Sequence, residues 1–169
     1  MKHFRLHIFV LLLLFSCIIT AQDKQIIEAV ENRENDKVAE LLQKGANPNT
    51  IDRNGTSILM IAAKNSDLSI VELLTENGAD INYRSEKYTS WLQYLSVLDC
   101  AAMSGNTTMV DHLLENGADI NSKDKIGHTV LYTALFGKNV KMARDLLNKG
   151  ATIEPNRAKL LLSSNIQYE

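Results

Sequence analysis

The sequence predicts an all-α fold, a solenoid of about four helix-turn-helix repeats that are joined by β-turn fingers and closed by a C-terminal capping helix. The phrase LLENGADIN at residues 113–121 returns in altered form at 41–49, 73–82 and 146–154. The glycines of these four phrases follow one another at distances of 33, 39 and 33 residues. A period of this length is typical of a chain that stacks one helical unit repeatedly.

Two helices per repeat are predicted by the apolar residues that recur before each glycine. The residue sixteen positions before the glycine is alanine in every copy, and the residue nineteen positions before it is a large aliphatic. Because these positions are three apart, they share one face of a first helix, where the small alanine lets a neighbouring helix approach. Later apolar residues, for example Met109, Val110 and Leu113, form the buried face of a second helix. The alanines are Ala29, Ala62, Ala101 and Ala134, and the aliphatics are Ile26, Leu59, Leu98 and Leu131.

The glycine of each phrase predicts how the second helix ends. It would occupy the first position beyond the helix, where the backbone is left-handed and a Cβ is unfavourable. The asparagines and aspartates that follow favour Asx-type turns, and a further glycine, Gly55 or Gly127, closes the finger. The helix-ending glycines are Gly45, Gly78, Gly117 and Gly150.

Residues 1–21 have the layout of a secretory signal peptide. Lys2 and Arg5 precede an apolar run, and the small residue Ala21 closes the segment. As a helix, residues 8–21 would span roughly 21 Å. This is shorter than the roughly 30 Å hydrocarbon core of a bilayer, so a membrane-spanning helix is not expected.

A lipoprotein signal is the alternative interpretation of this leader. The run LFSC at residues 14–17 resembles a bacterial lipoprotein box, which would place a lipid on Cys17. We therefore expect a periplasmic or secreted protein or, in the alternative, one that is lipid-anchored in the bacterial envelope. Contact with a membrane is expected only if Cys17 carries a lipid.

The two ends of the chain complete the domain organisation. We expect residues 1–21 to be the signal peptide and 22–169 to be one repeat domain. A first helix over 25–32 lacks a preceding finger, and Pro155 suits the first turn of a capping helix over 155–165. The repeats end near Asn49, Asn82, Asn121 and Glu154.

A repeat of about 33 residues that contains a β-turn and two helices resembles the ankyrin repeat, whose signature is T-P-L-H-x-A. The signature is present in altered form as TSILMIAA at 56–63 and TVLYTA at 129–134, and the phrase G-A-D-x-N is intact at 78–82 and 117–121. The resemblance covers about residues 22 to 154. It implies a non-catalytic module that binds another protein through its fingers and concave face. Together with the leader, this makes another envelope or secreted protein the expected partner, and we expect the chain to be a monomer.

The resemblance places partner contacts on the variable positions of the fingers and inner helices. For Met103 and Phe136, packing within the fold is an equal alternative. A second hypothesis is a non-catalytic regulatory or protective subunit of an envelope enzyme, and an unrecognised hydrolase is less favoured. The implied contact residues are Arg53, Asn54, Thr56, Lys64, Met103, Lys125, His128 and Phe136.

The longer interval between Gly78 and Gly117 predicts an enlarged finger. Its sequence, YRSEKYTSWLQYLS at 83–96, lacks the aspartate and glycine of the other fingers and is rich in aromatic residues. Aromatic side chains dominate the energetics of many interfaces, which favours a partner-binding loop. A small packed cluster over the inner helices is the alternative. The aromatic residues are Tyr83, Tyr88, Trp91 and Tyr94.

Charge and motifs disfavour several classes of function. Without residues 1–21 the chain keeps 16 basic residues against 20 acidic ones and has no Lys/Arg run, so nucleic acid is not an expected partner. His112 and His128 lack a second ligand at metal-binding spacing, and Cys100 fits a small buried apolar residue. No P-loop, G-x-S-x-G or paired-carboxylate motif is present, so no cofactor, metal ion or catalytic residue is expected.

Overall fold

The computed structural model describes residues 21–86 and 94–152. Within these ranges the chain forms eight helices and no β-strand, which confirms the predicted all-α repeat solenoid. No helix in this part of the chain is both long and apolar enough to cross a bilayer. The helices are α1 (21–31), α2 (Asn35–Gln43), α3 (Ile58–Lys64), α4 (Leu68–Glu76), α5 (Val97–Ser104), α6 (Thr107–Glu115), α7 (Val130–Phe136) and α8 (Val140–Asn148).

Successive helices pack as pairs, and the pairs stack in two layers. Helix α3 packs on α4, α5 on α6 and α7 on α8, while α3, α5 and α7 also contact one another in order. Helix α2 contacts α4 of the next pair. The first helix of each pair therefore belongs to an inner layer (α1, α3, α5, α7) and the second to an outer layer (α2, α4, α6, α8). We call the exposed side of α1, α3, α5 and α7 the inner face.

The predicted apolar columns form the core between the two layers. Each of the four column alanines is at most 2% exposed, and each of the four column aliphatics is at most 3% exposed. Burial of one large aliphatic side chain contributes about 1.5–3 kcal/mol relative to its exposure to water. Small alanines let the inner helices approach one another, so the large residues beside them pack closely.

Each of the four outer helices (α2, α4, α6, α8) is followed by the same glycine motif. The glycines at 45, 78, 117 and 150 have φ angles of +86°, +86°, +92° and +94°. The Gly45 amide donates to the carbonyl of Leu42 at 2.9 Å, and the Ala46 amide donates to Leu41 at 3.0 Å. The same pair of hydrogen bonds is present at the other three glycines. This Schellman arrangement confirms the predicted left-handed helix ends.

The fingers are tied to one another by a ladder of asparagine side chains. The Asn49 amide group donates to the Gly78 carbonyl at 3.1 Å and accepts from the Asp80 amide at 2.7 Å. Asn82 makes the same two bonds one repeat later, to Gly117 and Asp119, at 3.0 and 2.9 Å. Asn121 repeats them again, with Gly150 and Thr152 as partners. Each asparagine therefore fixes the position of its own finger relative to the next repeat.

Two predicted end segments, together with part of the enlarged finger, lie outside the described residues. These segments are the signal peptide up to residue 20 and the capping helix over 155–165. The first helix is described from residue 21, where the described range itself starts, and it includes most of the predicted helix over 25–32. The domain boundaries therefore stay predictions.

Candidate functional site

The first finger presents three of the predicted contact residues around a turn that Asp52 organises. The Asp52 carboxylate accepts hydrogen bonds from the amides of Asn54 and Thr56, at 2.8 and 2.7 Å. Gly55 has a φ of +79°, which lets the chain reverse at this point. Arg53 and Asn54 are exposed at the tip, and Thr56 is half-buried. Asp52 therefore shapes the finger, while its neighbours face solvent.

The last finger uses the same design around Asp124. Its carboxylate accepts from the amides of Ile126 and His128, at 2.9 and 2.7 Å. The His128 Nδ1 atom also lies 3.1 Å from this carboxylate. Lys125 is exposed at the tip, whereas the Asp124 side chain is only 2% exposed. In the last finger, Asp124 is thus buried and Lys125 is exposed to solvent.

Three rings form a stack from the last finger along α7. The His128 and Tyr132 rings lie 3.8 Å apart between centroids with an interplanar angle of 5°. The Tyr132 and Phe136 rings follow at 6.1 Å and 19°. Tyr132 and Phe136 are four apart and share one side of α7, and His128 lies in the finger just before this helix. The sequence indicated His128 and Phe136 but missed Tyr132, although its spacing between them could have revealed it.

One exposed column crosses the inner face from repeat to repeat. It consists of the residue two positions after each column alanine: Glu31, Lys64, Met103 and Phe136. Met103 is 41% exposed and Phe136 is 51% exposed, so neither belongs to the packed core. The column changes along the stack from an acidic residue to a basic one and then to two apolar ones.

Two backbone hydrogen bonds join the two sides of the enlarged finger at its base. The Ser85 amide donates to the Leu95 carbonyl at 2.9 Å, and the Val97 amide donates to the Tyr83 carbonyl at 3.3 Å. Tyr88 and Trp91 lie in 87–93, outside the described residues.

The two described aromatic residues of this finger have different surroundings. The Tyr83 hydroxyl donates to the Gly55 carbonyl at 2.9 Å, and burial, followed by the charges of Glu86 and Asp52, raises the pKa of Tyr83. The Tyr94 ring lies 5.5 Å from the Lys125 ammonium group, within the range of a cation–π contact. Tyr83 therefore joins two fingers, and Tyr94 lies beside the last finger. Their contact with a partner stays a prediction.

Sequence reasoning missed a buried ion pair at the base of the enlarged finger. The Arg84 guanidinium donates to the Asp99 carboxylate at 3.1 Å, and the side chains of these residues are 19% and 2% exposed. Arg84 also donates to the carbonyl of Tyr94 at 2.6 Å and to the carbonyl and hydroxyl of Ser122 at 3.3 and 3.2 Å. One guanidinium therefore connects the enlarged finger, helix α5 and the last finger.

Asp99 is the acceptor at the centre of this cluster. Its carboxylate accepts from the Ser96 amide and hydroxyl at 2.8 and 2.7 Å, and from the Thr133 hydroxyl at 2.8 Å. Ser96 and Asp99 form the capping box of α5. A signal was present in the sequence, because Asp99 occupies the column that holds Met60 and Tyr132 in the neighbouring repeats. A single acid in a column of large, mainly apolar residues indicates a partner of opposite charge.

Within the described residues, Cys100 is not placed to act as a nucleophile, and no metal-ligand cluster is formed. Cys100 is 4% exposed, and burial, followed by the charge of Asp99, raises its pKa to about 12. A protonated, buried thiol is a poor nucleophile. No three His, Cys, Asp or Glu side chains in residues 21–86 and 94–152 gather as metal ligands.

An open groove lies at the N-terminal end of the inner face, between α1 and the first finger. It has a volume of about 640 Å³ and carries more acidic than basic side chains. Its charged residues are Asp23, Lys24, Glu28, Glu31, Asp52 and Arg53.

Comparison with known families returns a match over most of the chain. A family model described as ankyrin repeats, in three copies, matches residues 6–85, 26–124 and 93–159. These matches include all eight described helices and all three fingers.

Proposed function

The chain belongs to the ankyrin-repeat family, and from this premise we propose that it is an exported module that binds another envelope or secreted protein. Ankyrin repeats are protein-interaction modules and are typically non-catalytic. The contact surface in this proposal consists of the fingers and the inner face. The partner differs from the chain itself, which acts as a monomer.

The exposed apolar residues of the inner face are the observation that carries this proposal. Phe136 and Met103 are about half exposed, although a helix that only had to pack on its neighbours would place polar residues there. The Tyr132 ring continues this surface towards the last finger. Clustered aromatic and methionine side chains at a protein surface are typical of interfaces.

Export is supported by the leader rather than by the repeats. The leader has a basic start, a short apolar run and a small residue at its end. The intact mass of the mature protein distinguishes the two forms of export, because a terminus at Gln22 and a lipid on Cys17 give different masses. A protein that kept residues 1–21 in full after synthesis in a bacterial host would contradict export.

Capture of a partner by matched variants tests the binding proposal. The bait is the mature chain, exposed to an extract of envelope proteins and quantified by mass spectrometry. We expect Phe136→Ser to lower capture of a stoichiometric partner at least about tenfold, as truncation of an interface anchor does. Leu147→Ser is the matched control, because Leu147 is 50% exposed but lies on outer helix α8. Equal loss with both variants, or no loss with Phe136→Ser, would refute the proposed surface.

The enlarged finger is tested with the same bait. We expect Trp91→Ala and Tyr88→Ala each to lower capture about tenfold while the melting temperature stays nearly constant, which is the behaviour of interface anchors. A large fall in melting temperature with normal capture by the remaining folded protein would assign these aromatics to packing instead.

A further inference from the structure

The inner face of α3, α5 and α7 carries exposed positive charge that the described part of the chain does not neutralise. Lys64 is exposed at the end of α3, and its ammonium group is close enough to α5 to oppose the rise in the pKa of Cys100. Lys125 is exposed on the last finger beside the Tyr94 ring. Neither lysine forms an ion pair within residues 21–86 and 94–152.

The acidic side chains of the same elements point into the protein. Helices α3 and α7 contain no acidic residue, and the only one in α5 is Asp99, which Arg84 and three further hydrogen bonds engage. In the turn of the last finger, Asp124 is buried against His128 and two backbone amides. The exposed charges of these three helices and of this turn are therefore basic, because Asp99 and Asp124 are buried and hydrogen-bonded.

Apolar anchors lie between the two lysines. Met103 occupies the column between Lys64 and Phe136, and Tyr132 stacks between Phe136 and His128. A large apolar side chain of a partner that packs against Met103 and Phe136 would bring neighbouring residues of that partner near a lysine on either side. Charge complementarity across such a contact contributes mainly to selectivity and to the rate of association.

We propose that this surface, defined by Lys64, Met103, Lys125, Tyr132 and Phe136, recognises an acidic segment of the partner protein in which carboxylates flank at least one large apolar side chain. The inference rests on the proposed function and specifies the chemistry of its partner. The opposite end of the inner face is net acidic around the α1 groove. An acidic segment is therefore held over α3 to α7 and repelled from α1, which fixes where along the stack it binds.

A pair of synthetic peptides tests the chemistry directly. One peptide alternates aspartate with phenylalanine, and the other replaces every aspartate with lysine. Binding to the mature protein is followed by NMR chemical-shift changes, which also locate the site. We expect the aspartate peptide to shift the resonances of Met103, Tyr132 and Phe136 and to bind at least about tenfold more tightly than the lysine peptide, because charge juxtaposition decides between otherwise equal contacts.

Charge reversal in the protein completes the test. Lys64→Glu combined with Lys125→Glu should weaken the aspartate peptide about tenfold and strengthen the lysine peptide, whereas Lys141→Glu on outer helix α8 should change neither. The preference should also shrink between about 0.1 M and about 1 M salt, where the screening length falls from about 10 Å to about 3 Å. Equal affinity for both peptides, no binding of the aspartate peptide, or shifts outside this surface would overturn the inference.

The same variants separate this inference from the proposed function. If capture of the partner from envelope extract depends on Phe136 but not on Lys64 and Lys125, the binding module stands and the acidic chemistry is wrong. If capture depends on neither, both proposals fail.

Discussion

The ion pair between Arg84 and Asp99 predicts a strong energetic coupling between the enlarged finger and helix α5. The perturbation is a double-mutant cycle of Arg84→Ala, Asp99→Ala and the combined variant. Asp99 is the more buried partner, at 2% exposure, and every hydrogen bond to its carboxylate lies between 2.7 and 3.1 Å. Its removal leaves a guanidinium that is four-fifths buried without its counter-charge.

The magnitude follows from what each variant leaves behind. Loss of one member of a buried ion pair costs about 3–5 kcal/mol in unfolding free energy. Arg84 keeps Tyr94 and Ser122 as acceptors after Asp99→Ala, so we expect the lower end, about 3 kcal/mol. Asp99 keeps Ser96 and Thr133 as donors after Arg84→Ala, so about 2 kcal/mol is expected there. The combined variant should cost about 1–2 kcal/mol less than the sum, because the two changes remove one shared contact.

Urea unfolding followed by far-UV circular dichroism measures these differences. The control cycle uses Lys37 and Glu40, an exposed pair on α2 at 2.9 Å, where no measurable coupling is expected because water screens the charges. Additive effects of Arg84→Ala and Asp99→Ala, comparable to the control cycle, would refute the conclusion that this ion pair joins the finger to the helix.

Three further predictions address the backbone, the leader and the buried thiol. Gly117→Ala should cost about 1 kcal/mol or more in unfolding free energy, because φ at Gly117 is +92°. Gly137→Ala should cost less, because the backbone at Gly137 is not left-handed. Equal melting temperatures of the two variants would contradict this prediction. Replacement of Leu12 and Leu13 with arginine should leave an unprocessed precursor inside the cell, which fractionation and mass spectrometry detect; normal export would refute the leader. The Cys100 thiol, with its pKa raised from 9.0 to about 12, stays protonated in the folded state while the unfolded thiol ionises. The contribution of the thiol to stability is therefore complete below pH 9 and is lost as pH rises from 9 to 12, by up to about 1.4 kcal/mol per pH unit. When urea unfolding is compared across this range, the wild type should lose stability more steeply than Cys100→Ala.

Repetition explains why the fold was predictable from this sequence. A single alanine or glycine carries little information, but Ala29 and Gly45 belong to columns that recur in four copies. Each column reflects one physical requirement, namely close approach of helices or a left-handed helix end, and every copy repeats the requirement. The buried columns and the helix ends are confirmed in all four copies because each copy meets the same requirement.

The candidate site was less predictable because it depends on where the copies differ. Arg84 has its main partners at sequence separations of 10, 15 and 38 residues, across an insertion that occurs in one copy only. A column comparison describes what the repeats share and gives no pairing for a residue that one copy alone contains. The Tyr132 ring was missed for a related reason, since the same column holds Met60 and Asp99 in the other repeats.

The buried ion pair also bears on how the enlarged finger is presented. A well-packed apolar pair in place of Arg84 and Asp99 would match or exceed the stability of the ion pair, because burial of two charges has a large desolvation cost. An apolar side chain, however, has no donors for Tyr94 and Ser122, which Arg84 engages together with Asp99. The guanidinium therefore fixes the described base of the finger relative to both α5 and the last finger. Since Lys125 and Tyr94 lie where these two fingers meet, the same ion pair that stabilises the repeat junction also positions the proposed contact surface.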